Sequence, residues 1–224
     1  MVKQPPATIY PNLAFKLDFG LWSLAFCLPP TPVIKSLHSM QHQNTLILTQ
    51  SALTIIDMQE AFRKKISDFS DVTERIVTMV KAAKLLKLPI VVTEQYPKGL
   101  GHTAEEILAV LPESVGVIEK TTFSSCGVEP FKSQLTAVGA KQILVCGIEA
   151  HICVNQTVHD LIASGFQVHL LTDCITSRKK RSKRIALRKM ELAGAIPSSL
   201  EMALFEMMRD ANHEQFKAIQ ELVK

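Results

Sequence analysis

Gln142–Thr157, QILVCGIEAHICVNQT, reads as a strand, a sharp turn and the start of a helix. Ile143, Leu144, Val145 and Cys146 form an unbroken apolar run, the pattern of a strand buried on both faces of a parallel sheet. Gly147 interrupts it. The apolar pattern then resumes at helical spacing, with Val154, Val158, Leu161 and Ile162 on one face before Gly165 ends the element. Cys153 thus falls near the first helical turn, where backbone N–H groups and the positive end of the helix dipole favour a thiolate. A free cysteine is also among the most commonly buried residue types, so this position alone suits a packed core thiol as well as a nucleophile.

Two further stretches put chemistry at strand ends. Ser51–Phe62, SALTIIDMQEAF, is a β-rich apolar run that closes on Asp57, and Val117–Ser124, VIEKTTFS, closes a short strand on Lys120. The C-terminal edge of an open α/β sheet is where such folds place their sites. A lone lysine is more often a solvated surface charge, and Lys120 by itself carries no more than that. Strands alternating with helices at this spacing predict a doubly wound, mostly parallel sheet with right-handed crossovers, in three α/β/α layers. The turn after the first strand, DMQEAF, contains no G-x-G-x-x-G, which sets a dinucleotide site aside.

IDMQEAF with Asp57, EKTTFS with Lys120, GIEAHICVNQT with Cys153 and the segment EQYPKGLG (Glu94–Gly101) occur in an order that resembles the isochorismatase-like cysteine hydrolases. The branch they look most like is that of the isochorismatase domain-containing proteins. The resemblance runs from about Asn44 to the C-terminus. It implies six strands in the order 3-2-1-4-5-6 and a catalytic triad of Asp57, Lys120 and Cys153. It also implies an oxyanion hole at the amides of Glu149 and Cys153, a cis peptide between Ile148 and Glu149, and a homo-oligomer. Gln59, Phe62, Gln95, Tyr96 and His151 are the candidate pocket residues, with the loop Glu94–His102 as one wall or as a plain turn.

The residue types explain the chemistry that the resemblance implies. A cysteine with a pKa near ~8.5 is mostly thiol at neutral pH and needs a base and a positive charge beside it. Asp57 takes the proton, Lys120 keeps Asp57 ionised, and backbone N–H groups in the turn Gly147–Cys153 receive the developing oxyanion. Nicotinamidases of this family hold a metal through a D-x-H…H cluster. No such cluster occurs here, and His102 and His151 lack ligand spacing, so neither metal nor cofactor is expected. The leading expectation is a metal-independent cysteine hydrolase acting on a small amide, carbamoyl or related C–N bond of a small-molecule substrate. A vinyl ether hydrolase of the isochorismatase type and a non-catalytic interaction protein are the alternatives.

At 224 residues and 47% hydrophobic content the chain fits one α/β domain with an appendage. The formal charge of +4 does not argue for nucleic acid, and no nucleic-acid motif appears. Five cysteines without framework or metal spacing point to free thiols in a reducing, cytoplasmic setting. Residues 1–43 are proline-rich and lie before the resemblance. Their apolar patch, Leu21–Leu28, is too short to span a bilayer, and no A-x-A-like cleavage site accompanies it. They read as an extension to a hydrolase domain over residues 44–224, or as a start assigned upstream of Met40. Asp71 and Glu74 suggest a capping box ahead of a helix to about Lys87. A strand over Val168–Leu171 with Thr172 and Asp173 at its tip leads to RKKRSKR (Arg178–Arg184), a charged helix face with Ile185, Leu187 and Met190 facing inward.

Overall fold

The computed structural model describes residues 42–224, so the expectation for the N-terminal extension falls outside the described residues apart from His42 and Gln43. The chain alternates strand and helix: β1 (Ser51–Ile56), α1 (Phe69–Leu86), β2 (Ile90–Gln95), the short helices α2 (Pro97–Leu100) and α3 (Glu105–Leu108), β3 (Val117–Lys120) and α4 (Glu129–Ala137). β4 (Gln142–Gly147), α5 (Asn155–Ala163), β5 (Gln167–Ile175), α6 (Lys180–Leu192), β6 (Ile196–Ser198), α7 (Leu200–Met208) and α8 (Phe216–Val223) complete it. The strands form one sheet in the order β3-β2-β1-β4-β5-β6, and every pairing is parallel.

The order sends the chain one way from β1 and the other way from β4, and that reversal makes a crevice at the C-terminal edge of the two strands. Register fixes what meets there. Ile56 pairs with both Thr93 and Gly147, and Gln95 pairs with Lys120. The residues that leave β1, β2, β3 and β4 therefore converge on one edge.

Every residue of β1 and β4 is buried because the sheet is covered on both faces. Alternate residues serve opposite layers. Leu53, Ile55, Leu144 and Cys146 pack with α1, α7 and α8 through Ile76, Met79, Val80, Leu204, Met207 and Ile219. Ala52, Ile56, Ile143 and Val145 pack with α4, α5 and α6 through Phe131, Leu135, Val158, Leu161 and Met190. Among the described residues no helix is long and apolar enough to cross a membrane.

Three local expectations are corrected. α1 begins at Phe69, ahead of Asp71, and no side chain caps it. Phe69 is almost fully buried, so packing it into the core sets the first turn, while Asp68 Oδ1 accepts from Thr176 Oγ1 at 2.7 Å. β5 continues through Thr172 and Asp173 to Ile175, because pairing resumes between Gly147 and Ile175 after an irregularity. On α6 Met190 and Ala186 face the core, while Ile185 points to solvent at 57% exposure.

His169 on β5 is 1% exposed, and burial lowers its pKa from 6.5 to about 4. The fold therefore favours the neutral ring, whose Nε2 lies 3.2 Å from Gln167 Oε1. The unfolded chain binds the proton first as pH falls below 6.5, so stability from this residue is present above that value and is lost towards pH 4. The ceiling is about 3 kcal/mol. Urea unfolding at pH 7.5 and 4.5 is expected to show a smaller loss for His169→Leu than for the parent. An equal loss in both would assign acid lability to other groups.

Candidate active site

Asp57 is the first residue beyond β1 and holds a left-handed backbone conformation, φ +52°. Its N–H donates to the Thr93 carbonyl at 3.0 Å, which continues the β1–β2 pairing one residue past the strand and turns the carboxylate into the crevice. Only 2% of Asp57 is exposed, so a carboxylate there requires partners. Lys120 Nζ donates to Oδ2 at 2.7 Å and Thr93 Oγ1 donates to Oδ1 at 2.8 Å. The Lys120 side chain is fully buried, and its ammonium also meets Gln95 Oε1 at 2.7 Å and the carbonyls of Thr122 and Phe123, each at 3.2 Å. Lys120 is thus an interior counterion.

Cys153 reaches the same place from β4. Gly147, at φ +115°, lies so close to β1 that a Cβ would stand 2.1 Å from the Ile56 carbonyl oxygen. Ile148 N–H donates to that oxygen at 2.9 Å, the Ile148–Glu149 peptide is cis, and Ala150 N–H donates to Thr176 O at 2.8 Å. A single wide π turn, Ala150–Val154, then leads into α5.

The Cys153 thiol, 6% exposed, is pushed up to about 12. Burial is the main cause, and the charge of Asp57 and a hydrogen bond to it act in the same direction, while Lys120 opposes them. The resting group is therefore a thiol beside a carboxylate, where a helix start alone suggested a thiolate. Cys153 sits inside the π turn ahead of α5, where burial and the neighbouring Asp57 carboxylate favour the neutral thiol.

The remaining candidates divide by exposure. Gln59 is fully buried; its amide donates to the carbonyls of Gln95 and Gly101 at 3.0 and 2.7 Å and accepts from Gln95 N–H at 2.8 Å, so it braces from within the segment expected as a loop, which the structure forms from the end of β2 and the short helix α2. Phe62 packs against the α1 layer, away from Cys153's layer. Gln95 splits its side chain between Lys120 and the Thr121 carbonyl, 2.8 Å away. Tyr96 is half exposed at φ +40°, with its ring over Gly99, where any Cβ would collide with it. His151 is half-buried, its Nδ1 3.1 Å from Ser177 Oγ. Tyr96, Pro97, Glu119, Lys120, Thr121 and Val128 border a cavity of about 360 Å³, and of Asp57, Lys120 and Cys153 only Lys120 lines it. A larger cleft, about 530 Å³, lies between α1, α7 and α8 and is lined by none of Asp57, Lys120 and Cys153.

One partner was not foreseen from sequence. Glu149, buried at the turn before Cys153, accepts from the Arg178 N–H at 2.9 Å and from Arg178 Nε at 2.9 Å. Arg178 opens the run that reads from sequence as a charged helix face. The available signal was Glu149 itself, a carboxylate among apolar neighbours that must find a donor once folded inward.

The isochorismatase domain family matches residues 51–202. Isochorismatase family protein 1B of Dictyostelium discoideum is 38% identical over 177 residues, covering 78% of this chain and 86% of its own length. The human isochorismatase domain-containing protein 2 is 38% identical over 175 residues, covering 78% and 83%. Among solved structures, the MAR1 ribonuclease of Caenorhabditis elegans superposes with a TM-score of 0.76 at 36% identity, covering 80% of this chain and 92% of that one. The YcaC gene product of Escherichia coli, described as an octameric hydrolase of unknown specificity, gives 0.72 at 21% identity over 82% and 96%, a likeness of fold alone. The chain belongs to the isochorismatase family and is, at the level of that family, a hydrolase.

Proposed function

We propose that the protein hydrolyses a small amide, carbamoyl or related C–N bond through a thioester on Cys153. The observation that carries this is the fully buried Lys120–Asp57 pair with the Cys153 thiol against it. Asp57 takes the thiol proton as Sγ attacks the carbonyl carbon, so a free thiolate never has to accumulate. The amides of Glu149 and Cys153 receive the oxyanion. Asp57 passes the proton to the leaving nitrogen as the C–N bond breaks, and ammonia or an amine departs. Water then gives a proton to Asp57 and attacks the thioester, the acid leaves, and sulfur recovers its proton. Lys120 holds the Asp57 carboxylate at Oδ2 through both steps.

The test is a panel of primary amides, carbamoyl compounds, isochorismate and single-stranded RNA, with ammonia and acid release measured for the parent and for Cys153→Ala. The parent is expected to turn over one or more C–N substrates, and Cys153→Ala to lose at least about 10³-fold in kcat. Undiminished turnover by Cys153→Ala would sink the thioester route. Cysteine-independent cleavage of isochorismate would instead select the vinyl ether chemistry. RNA is included because the C. elegans neighbour is described as a ribonuclease.

The described cysteines are all free thiols, in keeping with a reducing, cytoplasmic setting. A homo-oligomer belongs to this proposal, with the exposed rings of Tyr96 and Phe123 as surface that a second copy would cover.

A further inference from the structure

The Asp57 carboxylate has a polar support outside the triad. Thr93 Oγ1 donates to Asp57 Oδ1 at 2.8 Å. Behind Thr93, Ser125 Oγ lies 3.5 Å from Thr93 Oγ1, and Thr157 Oγ1 lies 3.3 Å from Ser125 Oγ. The Ser125 N–H closes the set by donating to Thr157 Oγ1 at 2.9 Å. Thr93, Ser125 and Thr157 are each 0% exposed, so these hydroxyls depend on one another.

The two ends of the chain fix its direction. An amide N–H only donates and an ionised carboxylate only accepts. Thr157, accepting from the amide, turns its proton to Ser125; Ser125 turns its own to Thr93; Thr93 turns its own to Asp57. The Ser125–Thr93 link is the longest and the weakest. The three hydroxyls come from β2, from the turn after β3 and from α5, where Thr157 lies four residues beyond Cys153. One helical passage thus supplies both the nucleophile and the far end of the base's support.

We propose that Thr93 is a positioning residue for the general base, and that Ser125 and Thr157 keep its hydroxyl proton directed at Asp57. This rests on Asp57 acting as the base in the proposed function. Lys120 on Oδ2 and Thr93 on Oδ1 hold the carboxylate in one plane and stabilise its charge, which leaves a lone pair for the Cys153 proton. Without the Thr93 hydroxyl the carboxylate is free to turn about its Cβ–Cγ bond and its charged form loses a donor.

Iodoacetamide is a suitable probe, since it is a small amide and its reaction at Cys153 makes the same proton demand. The S–C bond forms, the C–I bond breaks, iodide leaves and Asp57 takes the thiol proton. Mass spectrometry on the full chain gives kinact and KI for Cys153 from pH 5 to 9. Thr93→Val keeps the side-chain shape and is expected to lower kinact about tenfold at unchanged KI. The acid limb of kinact should move to higher pH. Thr93→Ser should restore both, and Ser125→Ala and Thr157→Val should show smaller losses in the same direction. Parental kinact and an unmoved acid limb in folded Thr93→Val would overturn the proposal. If Thr93→Val does not fold, Ser125→Ala decides, and parental kinact there overturns it. Asp57→Asn separates the two levels. Unaffected labelling in that variant removes the base itself, whereas abolished labelling with an indifferent Thr93→Val removes only the positioning role.

Discussion

Gly147→Ala is expected to yield no cooperatively folded protein. The added Cβ would stand 2.1 Å from Ile56 O, 2.7 Å from Ile56 N and 2.8 Å from Ile56 C, all backbone atoms of the central strand. That strand is unable to withdraw. Ile56 is registered against both Thr93 and Gly147, its carbonyl accepts from Ile148 N–H, and all six residues of β1 are buried. The φ of +115° adds a conformation that residues with a Cβ rarely adopt. The clash and the dihedral together exceed the roughly 4–5 kcal/mol that marks an exceptional substitution and approach the whole stability of a typical domain. Gly165→Ala is the matched control. Its φ is +87° but nothing lies within 4 Å of the added Cβ, so it should cost only the strain of the dihedral, about 1–2 kcal/mol. Circular dichroism melts of the two variants check this. A Gly147→Ala protein that melts within a few degrees of Gly165→Ala would show that β1 can yield after all.

Gly147 also shows what was legible in the chain and what was not. The apolar runs ILVC and LTII announce doubly buried strands, because a strand covered on both faces has no polar alternation to lose. Asp57, Lys120 and Cys153 stand out because each interrupts or follows such a run, where a polar group is conspicuous, and the sheet register brings all three to one edge. The supports of that site left no comparable mark. Thr93 is an ordinary strand residue by composition, and Ser125 and Thr157 become its neighbours only through long-range packing. Arg178 was hidden for the opposite reason, as one cation in a run of cations whose other members are mostly solvated. At α1 the local signal of Asp71 and Glu74 lost to burial of Phe69, since a core aromatic is worth more than a cap.

Lys120→Met is expected to cost both the activity and about 3–5 kcal/mol of stability, because it leaves a buried carboxylate without its counterion. Methionine keeps the length and apolar stem of lysine, so the packing around the side chain changes little. What disappears is the ammonium 2.7 Å from Asp57 Oδ2, between side chains exposed by 0% and 2%. Part of the loss has a different origin, because Gln95 Oε1 and the carbonyls of Thr122 and Phe123 also lose their donor. The double variant Asp57→Asn/Lys120→Met separates the contributions. Removing the negative charge as well should return most of the electrostatic part while activity stays absent, since asparagine does not accept the thiol proton. Urea unfolding free energies of the parent, both single variants and the double variant, each from midpoint and slope, give the coupling energy. Lys120→Arg is not expected to rescue, as a planar guanidinium does not fit a site where one ammonium meets four oxygens. Parental stability and parental kcat in Lys120→Met would mean that Asp57 does not need its charge held in place, and that would remove the physical basis for its role as the base.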